Sequence, residues 1–291
     1  MQQPAPRRLD FRDHRRELGT YTYVYPVLSR RSHGVSVGIN LNPDKRCNFA
    51  CPYCQVDRTV PGRASRVAPE RVEAELNELL GLAASGAIWA IPPFDTVAPD
   101  LRRVSDTALA GDGEPTSSRY FGAVIDICER LLRRHGLLDT RIVVLTNATL
   151  LHRPAVREAL ERLQRCGGEV WAKLDAGTPE YYALVNRSHV PFQRILRNLL
   201  DIAVRQPIVL QSMFMRYGGV PPAPQELDAY CDRIREIRAA GGQISQVQVY
   251  SVARVPADPA VSPLEAEVLA EIADRVRHLG VSAEVFPGAD P

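Results

Sequence analysis

The stretch VSVGINLNPDKRCNFACPYC, residues 35–54, sets a strand directly before a cluster of three cysteines. Val35, Val37, Ile39 and Leu41 alternate with small or polar residues, the period-two pattern of a strand over 35–42. Cys47, Cys51 and Cys54 follow it with the spacing C-x3-C-x2-C. Six cysteines in 291 residues are too sparse for a disulfide scaffold, and three of them in one short loop read as metal or redox chemistry. Thiolates are soft ligands that suit zinc, Cu(I) or an iron-sulfur cluster. A structural zinc site closes on four protein ligands, but no fourth cysteine lies near and His33 stands well upstream. Three ligands would leave one iron of a [4Fe-4S] cluster open to an exogenous ligand. The remaining cysteines, Cys128 and Cys231 on apolar helix faces and Cys166 at a helix end, read as small packing residues.

Outward from this stretch the chain alternates strands and helices. A helix is expected over 69–85, with Val72, Leu76, Leu79 and Leu80 on one face. A weaker strand over 105–110 ends in Gly111-Asp112-Gly113-Glu114-Pro115, and a helix follows over 118–135. The pattern continues with strands over 141–147, 170–175, 208–215 and 244–252. Helices are expected over 154–166, 179–186, 191–205, 225–240 and 263–279. Six βα units imply a parallel sheet with right-handed crossovers, either an open doubly wound sheet or a closed or partial barrel. Periodicity does not separate these. Proline-rich stretches at 220–224 and 255–263 directly follow strands, where parallel α/β folds place substrate-contacting loops.

Composition narrows the function. Near balance of 36 basic and 34 acidic residues gives a formal charge of +2, and a pI near 8.2 does not demand a nucleic-acid surface. No secretory signal and no membrane-length apolar run is evident, so a cytoplasmic protein without membrane association is the expectation. Lys45 and Lys173 are the only lysines in an arginine-rich chain.

The C-x3-C-x-aromatic-C motif at Cys47, Cys51, Tyr53 and Cys54 resembles the signature of the radical S-adenosylmethionine (SAM) superfamily. Ser29-Arg30-Arg31, Gly38-Ile39-Asn40-Leu41, Lys45 and Gln55 resemble the branch of the tRNA wyosine-synthesis enzymes and their uncharacterised bacterial relatives. The resemblance implies an α/β fold, a partial (β/α)6 TIM-like barrel in a single domain. The barrel core is expected over 34–280, with an N-terminal arm over 1–33 and a C-terminal tail over 281–291.

The resemblance also implies a [4Fe-4S] cluster on Cys47, Cys51 and Cys54, with SAM on its open iron. SAM would be cleaved reductively to a 5′-deoxyadenosyl radical that abstracts hydrogen from a substrate. The electron would come from a flavodoxin- or ferredoxin-like donor. Gly111, Asp112, Gly113 and Glu114 resemble the family's "GGE" motif, with Asp112 at its second letter, and are expected at SAM together with Tyr53. Alternation places Trp171, Lys173 and Asp175 on one strand face, inside a barrel, where Lys173 and Asp175 either contact SAM or neutralise each other. Asn147, Gln211 and Arg254, with Met213, Met215 and Tyr250, are further candidates near the cofactor. The wyosine enzymes hold a second cluster on cysteines upstream of the motif. No cysteine precedes Cys47 here, so a single cluster is expected. A radical enzyme acting on tRNA or another RNA is one alternative, and a noncatalytic iron-sulfur or zinc protein another.

Overall fold

The computed structural model describes residues 9–11, 18 and 21–288. Its elements in chain order are β1 (Val24–Ser29), β2 (Gly34–Ile39), α1 (Pro69–Ala84), β3 (Val104–Leu109), α2 (Phe121–Arg134), β4 (Arg141–Thr146), α3 (Pro154–Arg165), β5 (Glu169–Lys173), α4 (Pro179–Val185), α5 (Phe192–Arg205), β6 (Ile208–Met213), β7 (Met215–Tyr217), α6 (Pro224–Ala239), β8 (Ile244–Tyr250), β9 (Val261–Pro263), α7 (Ala266–Arg277) and β10 (Ala283–Phe286). Eight strands form one curled sheet in the order β1-β2-β3-β4-β5-β6-β8-β10. All neighbours pair in parallel except β1, which runs antiparallel to β2. The result is a single-domain partial barrel, one of the two architectures the βα alternation allows and the one the resemblance implies.

The main core lies between the outer face of the sheet and the helices. The apolar stripes read from the sequence are the ones buried: Val72, Leu76, Leu79 and Leu80 of α1, and Val124, Ile125, Cys128 and Leu131 of α2, are all 1% exposed or less. Each such aliphatic side chain contributes about 1.5–3 kcal/mol by leaving water. Cys128 and Cys231 are buried in this core, as expected, and Cys166 packs against it. A second, smaller apolar cluster fills the barrel interior, where Ala108, Val143, Trp171 and Val209 meet from four adjacent strands.

Several sequence expectations change. β1 falls inside the segment expected as an arm, and β10 inside the expected tail, so both contribute edge strands to the sheet. Residues 1–8, 12–17, 19–20 and 289–291 of those two segments lie outside the described residues. The strand expected over 208–215 breaks at Phe214, where the backbone N–H donates to Tyr250 O at 2.9 Å, and Met215 begins the short strand β7. β7 pairs antiparallel with β9, so the expected helix over 263–279 starts later, at Ala266. The expected helix over 118–135 is likewise preceded by a 3-10 turn at Pro115–Ser117 and begins at Phe121.

No strand pairing joins β1 to β10, the two edges of the curled sheet. Side chains cross that gap instead. Arg30, in the β1–β2 turn, donates to Ser251 O at 3.2 Å and to Pro287 O, and His33 Nε2 stands 3.5 Å from Glu284 of β10.

Candidate functional site

The loop after β2 carries Cys47, Cys51 and Cys54 at the C-terminal end of the parallel strands, where βα folds assemble their sites. All three are free thiols and partly exposed. Donors surround the sulfurs: Arg58 Nη1 reaches Cys54 Sγ at 3.0 Å, the Phe49 N–H reaches Cys47 Sγ at 3.5 Å, and Asn186 Nδ2 reaches Cys51 Sγ at 3.8 Å. Arg58 also donates to Lys45 O at 3.1 Å and Asp112 O at 3.3 Å, so one side chain ties the cysteine loop to the turn after β3. The loop is further held by Ala257 N–H to Cys54 O at 2.9 Å and Asp258 N–H to Pro52 O at 3.1 Å. Both come from the proline-rich stretch that the sequence singled out after β8.

Burial pushes the Cys51 thiol up to about 12 and raises that of Cys47. Any metal that binds must therefore displace these protons. Among the described residues no three of His, Cys, Asp and Glu converge closely enough to hold one metal ion. Three soft thiolates on one loop are the donor type that an iron-sulfur cluster takes. The set of three soft, hydrogen-bonded sulfurs thus fits the cluster implied by the motif.

A polar network backs the loop from inside the barrel. Asp175, just past β5, is 3% exposed. Its Oδ2 accepts from the Tyr53 hydroxyl and from Asn186 Nδ2 at 2.8 Å, while its Oδ1 accepts the Met213 N–H at 3.0 Å. Lys173 Nζ lies 4.0 Å from Asp175 Oδ2, donates to the Tyr250 hydroxyl at 2.7 Å, and sits 5.0 Å from the Tyr53 ring centroid and 5.5 Å from that of Tyr250. Burial opposes the lysine charge, yet Asp175 and Tyr250 outweigh it and hold Lys173 above the usual lysine range. Burial and the Asp175 charge push the Tyr53 hydroxyl well above its ordinary value.

Glu114 plays the corresponding part on the other side of the loop. It is 2% exposed. Its Oε1 accepts from the Thr146 hydroxyl at 2.7 Å and from both the hydroxyl and N–H of Thr116, and its Oε2 accepts the Asn147 N–H at 2.6 Å. It thus pins the turn after β3 to the end of β4. Burial raises its carboxyl, against those hydrogen bonds. Asn147 in turn donates to Asn48 Oδ1 at 2.6 Å and lies 4.0 Å from Cys47 Sγ. Asp112 accepts from Asn40 Nδ2 at 2.7 Å. Gly113 has a separate requirement, because a Cβ there would stand 2.1 Å from Arg46 O, immediately before the first cysteine.

A cavity of about 320 Å³ opens beside the loop, lined by Cys54, Gly111, Arg254, Trp171, Met213 and Tyr250 among others. The sequence candidates therefore separate. Gly111 and Arg254 face the cavity next to Cys54, whereas Tyr53, Glu114 and Asp175 are committed to protein partners. Gln211 is 1% exposed and donates to Gln248 Oε1 at 2.8 Å. Met215 is packed in the core, and only its neighbour Met213 reaches the cavity. Arg58, Asn186 and Asn48 are not among the sequence candidates, and Asn40 enters only within the resembling Gly38–Leu41 stretch. The partners of Asn186, Asn40 and Asn48 lie on other elements, so no local spacing marks them.

Comparison with known proteins agrees with this geometry. A family model described as "Radical SAM superfamily" matches residues 41–218. The chain is 22% identical over 252 residues to a UPF0026 protein of Methanocaldococcus jannaschii, covering 85% of this chain and 68% of that one. It is 23% identical over 235 residues to a UPF0026 protein of Helicobacter pylori, covering 79% and 68%. A solved structure described as TYW1 with a lysine-pyruvate adduct bound superposes with a TM-score of 0.54 at 14% identity, covering 88% of this chain and 84% of that one. At that identity the likeness is one of fold. No helix among the described residues is long and apolar enough to cross a membrane.

Proposed function

The chain belongs to the radical SAM superfamily, whose members are enzymes, and from that premise we propose that it is a radical SAM enzyme with a single [4Fe-4S] cluster. Cys47, Cys51 and Cys54 would hold the cluster. When bound, cluster and SAM together supply a reductive carbon-sulfur cleavage that yields methionine and a 5′-deoxyadenosyl radical able to take hydrogen from a substrate.

The chain's own residues supply the frame for that chemistry. Arg58 donates to the Cys54 sulfur, which offsets thiolate charge beside the exposed side of the loop. Asn186 bridges Cys51 Sγ and Asp175, so the loop position is set by a carboxylate fixed before any ligand arrives. Gly111 and Arg254 border the cavity beside Cys54 and would meet SAM there. Lys173, Asp175 and Glu114 act as positioning residues. The apolar cluster of Trp171, Val143 and Val209, of which Trp171 and Val143 line the cavity, would keep water from its base. A flavodoxin- or ferredoxin-like protein would deliver the electron at the exposed side of the cysteine loop.

The observation that carries this reading is the convergence of hydrogen-bond donors on three free thiols at the mouth of a partial barrel. Both lysine amines are engaged within the chain: Lys173 Nζ donates to the Tyr250 hydroxyl at 2.7 Å, and Lys45 Nζ donates to Asp57 O at 2.6 Å and Val60 O at 3.0 Å. Anaerobic reconstitution with iron and sulfide, followed by dithionite and SAM, tests the proposal. It expects 5′-deoxyadenosine and methionine in equal amounts. A protein that retains iron and sulfide yet forms neither refutes it.

A further inference from the structure

The same cavity has a second end that the cysteine loop does not use. It reaches the gap between the sheet edges, where Arg30, Arg31, Ser32, Ser36 and Asp106 line it. Arg31 stacks 5.3 Å from the Tyr250 ring centroid, and among the described residues no hydrogen bond or ion pair of its guanidinium is found. Asp106, 1% exposed, accepts from the Ser36 hydroxyl through Oδ1, while its Oδ2 has no hydrogen-bond partner among the described residues. Each of the two feels the other's charge, yet no ion pair closes between them.

Arg30 spends its donors on backbone carbonyls, Ser251 O and Pro287 O, which leave its charge uncompensated. Burial and then the charges of Arg31 and Arg254 bring Arg30 down to about 10, so guanidinium groups crowd one wall of the cavity. Buried polar groups normally find partners, and like charges brought together in low dielectric repel. A cavity near 300 Å³ is the size of a small-molecule site.

We propose that this end of the cavity is the substrate compartment and that it binds a small anion, a carboxylate or phosphate, against Arg31 and Arg30. Arginine presents a planar fork that takes either group with two parallel hydrogen bonds. The Asp106 side suits a hydrogen-bond donor on the same molecule. Calling the anion a substrate rests on the radical SAM reading. The anion site itself does not, since it can be measured without SAM or reductant.

The test is thermal unfolding and calorimetric titration of the full chain with reconstituted cluster, using inorganic phosphate and malonate as probes and sodium chloride at matched ionic strength as control. Saturable stabilisation by one probe beyond the chloride control is expected, and which probe acts separates phosphate from carboxylate substrates. Arg31→Gln should weaken that binding by about tenfold or more, and Arg31→Lys by less. Without anion, Arg31→Gln should unfold no earlier than the parent, because it relieves repulsion with Arg30. Absence of saturable binding by either probe, or equal binding by parent and Arg31→Gln, overturns the proposal. Anion binding alongside failure to form 5′-deoxyadenosine would leave the anion site standing and remove only its assignment as the substrate compartment of a radical enzyme.

Discussion

The mouth of the barrel and the gap between its edges are both polar, and they differ in whether their buried groups have partners. At the mouth, Asp175 spends both oxygens on Tyr53, Asn186 and Met213, and Glu114 spends both on Thr116, Thr146 and Asn147. At the gap, Asp106 Oδ2 has no partner among the described residues, and Arg31 has only an aromatic ring. A satisfied network holds its shape before a ligand binds, which is what positioning a cluster and a reactive cofactor requires. An unsatisfied one stays costly until a ligand completes it. Substitutions at the two places should therefore differ in sign as well as in size.

The largest effect belongs to the cysteines. Cys51→Ala should lose bound iron and the visible cluster absorbance together, and 5′-deoxyadenosine formation should fall to background. The fold should survive, since Cys51 only borders the core. Far-ultraviolet circular dichroism and iron analysis of the same preparation check this. A variant with full cluster content would break the assignment of the mouth.

Next comes Asp175→Ala. It leaves Tyr53, Asn186 and the Met213 N–H without their acceptor and Lys173 without its nearest carboxylate, a cost of about 3 kcal/mol. Urea unfolding of the cluster-free protein measures it. The loss should exceed that of Arg31→Gln, for which no loss is expected. If the two variants lose equally, the contrast between mouth and gap fails.

Arg58→Gln should act more mildly and only on the mouth. Its donor to Cys54 Sγ disappears, and with it a positive charge that favours the reduced cluster. The midpoint potential should move to more negative values, read by redox titration, while urea stability stays within about 0.5 kcal/mol, as for most exposed side chains. An unchanged potential would mean that Arg58 only braces the loop.

How far these places could be read in advance follows from the range of their interactions. The cysteine loop and the helices α1 and α2 are local patterns, and Val72, Leu76 and Cys128 announce their burial through spacing alone. β1 is harder to see because Pro26 and the polar turn at Ser29–Arg30–Arg31 interrupt its alternation, and its pairing with β2 supplies what the pattern lacks. β10 has four residues, too few for a period to register. Alternation correctly put Lys173 and Asp175 toward the interior, but their partners Tyr53, Asn186 and Tyr250 come from three other segments. The choice between neutralising each other and meeting SAM was therefore not decidable from one strand. The gap is the extreme case: Arg31 and Asp106 lie on different elements and are defined by a closure of sheet edges that no sequence window contains.

The smallest effect, and the one that tests the gap most finely, is at Asp106. Burial raises its carboxyl above the ordinary value, against the nearby Ser32 and Ser36 hydroxyls and the charges of Arg141 and Arg31. In the unfolded chain the group ionises near the usual carboxylate value of about 3.9. A raised value in the folded state means that the folded protein holds its proton more tightly. Stability then falls as pH rises from the unfolded value through the folded one, and the penalty is in full force above it. Asp106→Asn removes the ionisation, so its stability should lack this decline and should match or exceed the parent at neutral pH. Urea midpoints of both proteins across the acid range decide it. An Asn variant less stable than the parent at neutral pH would show that the carboxylate is satisfied by its surroundings after all. The gap would then resemble the mouth, a finished network rather than a place waiting for an anion.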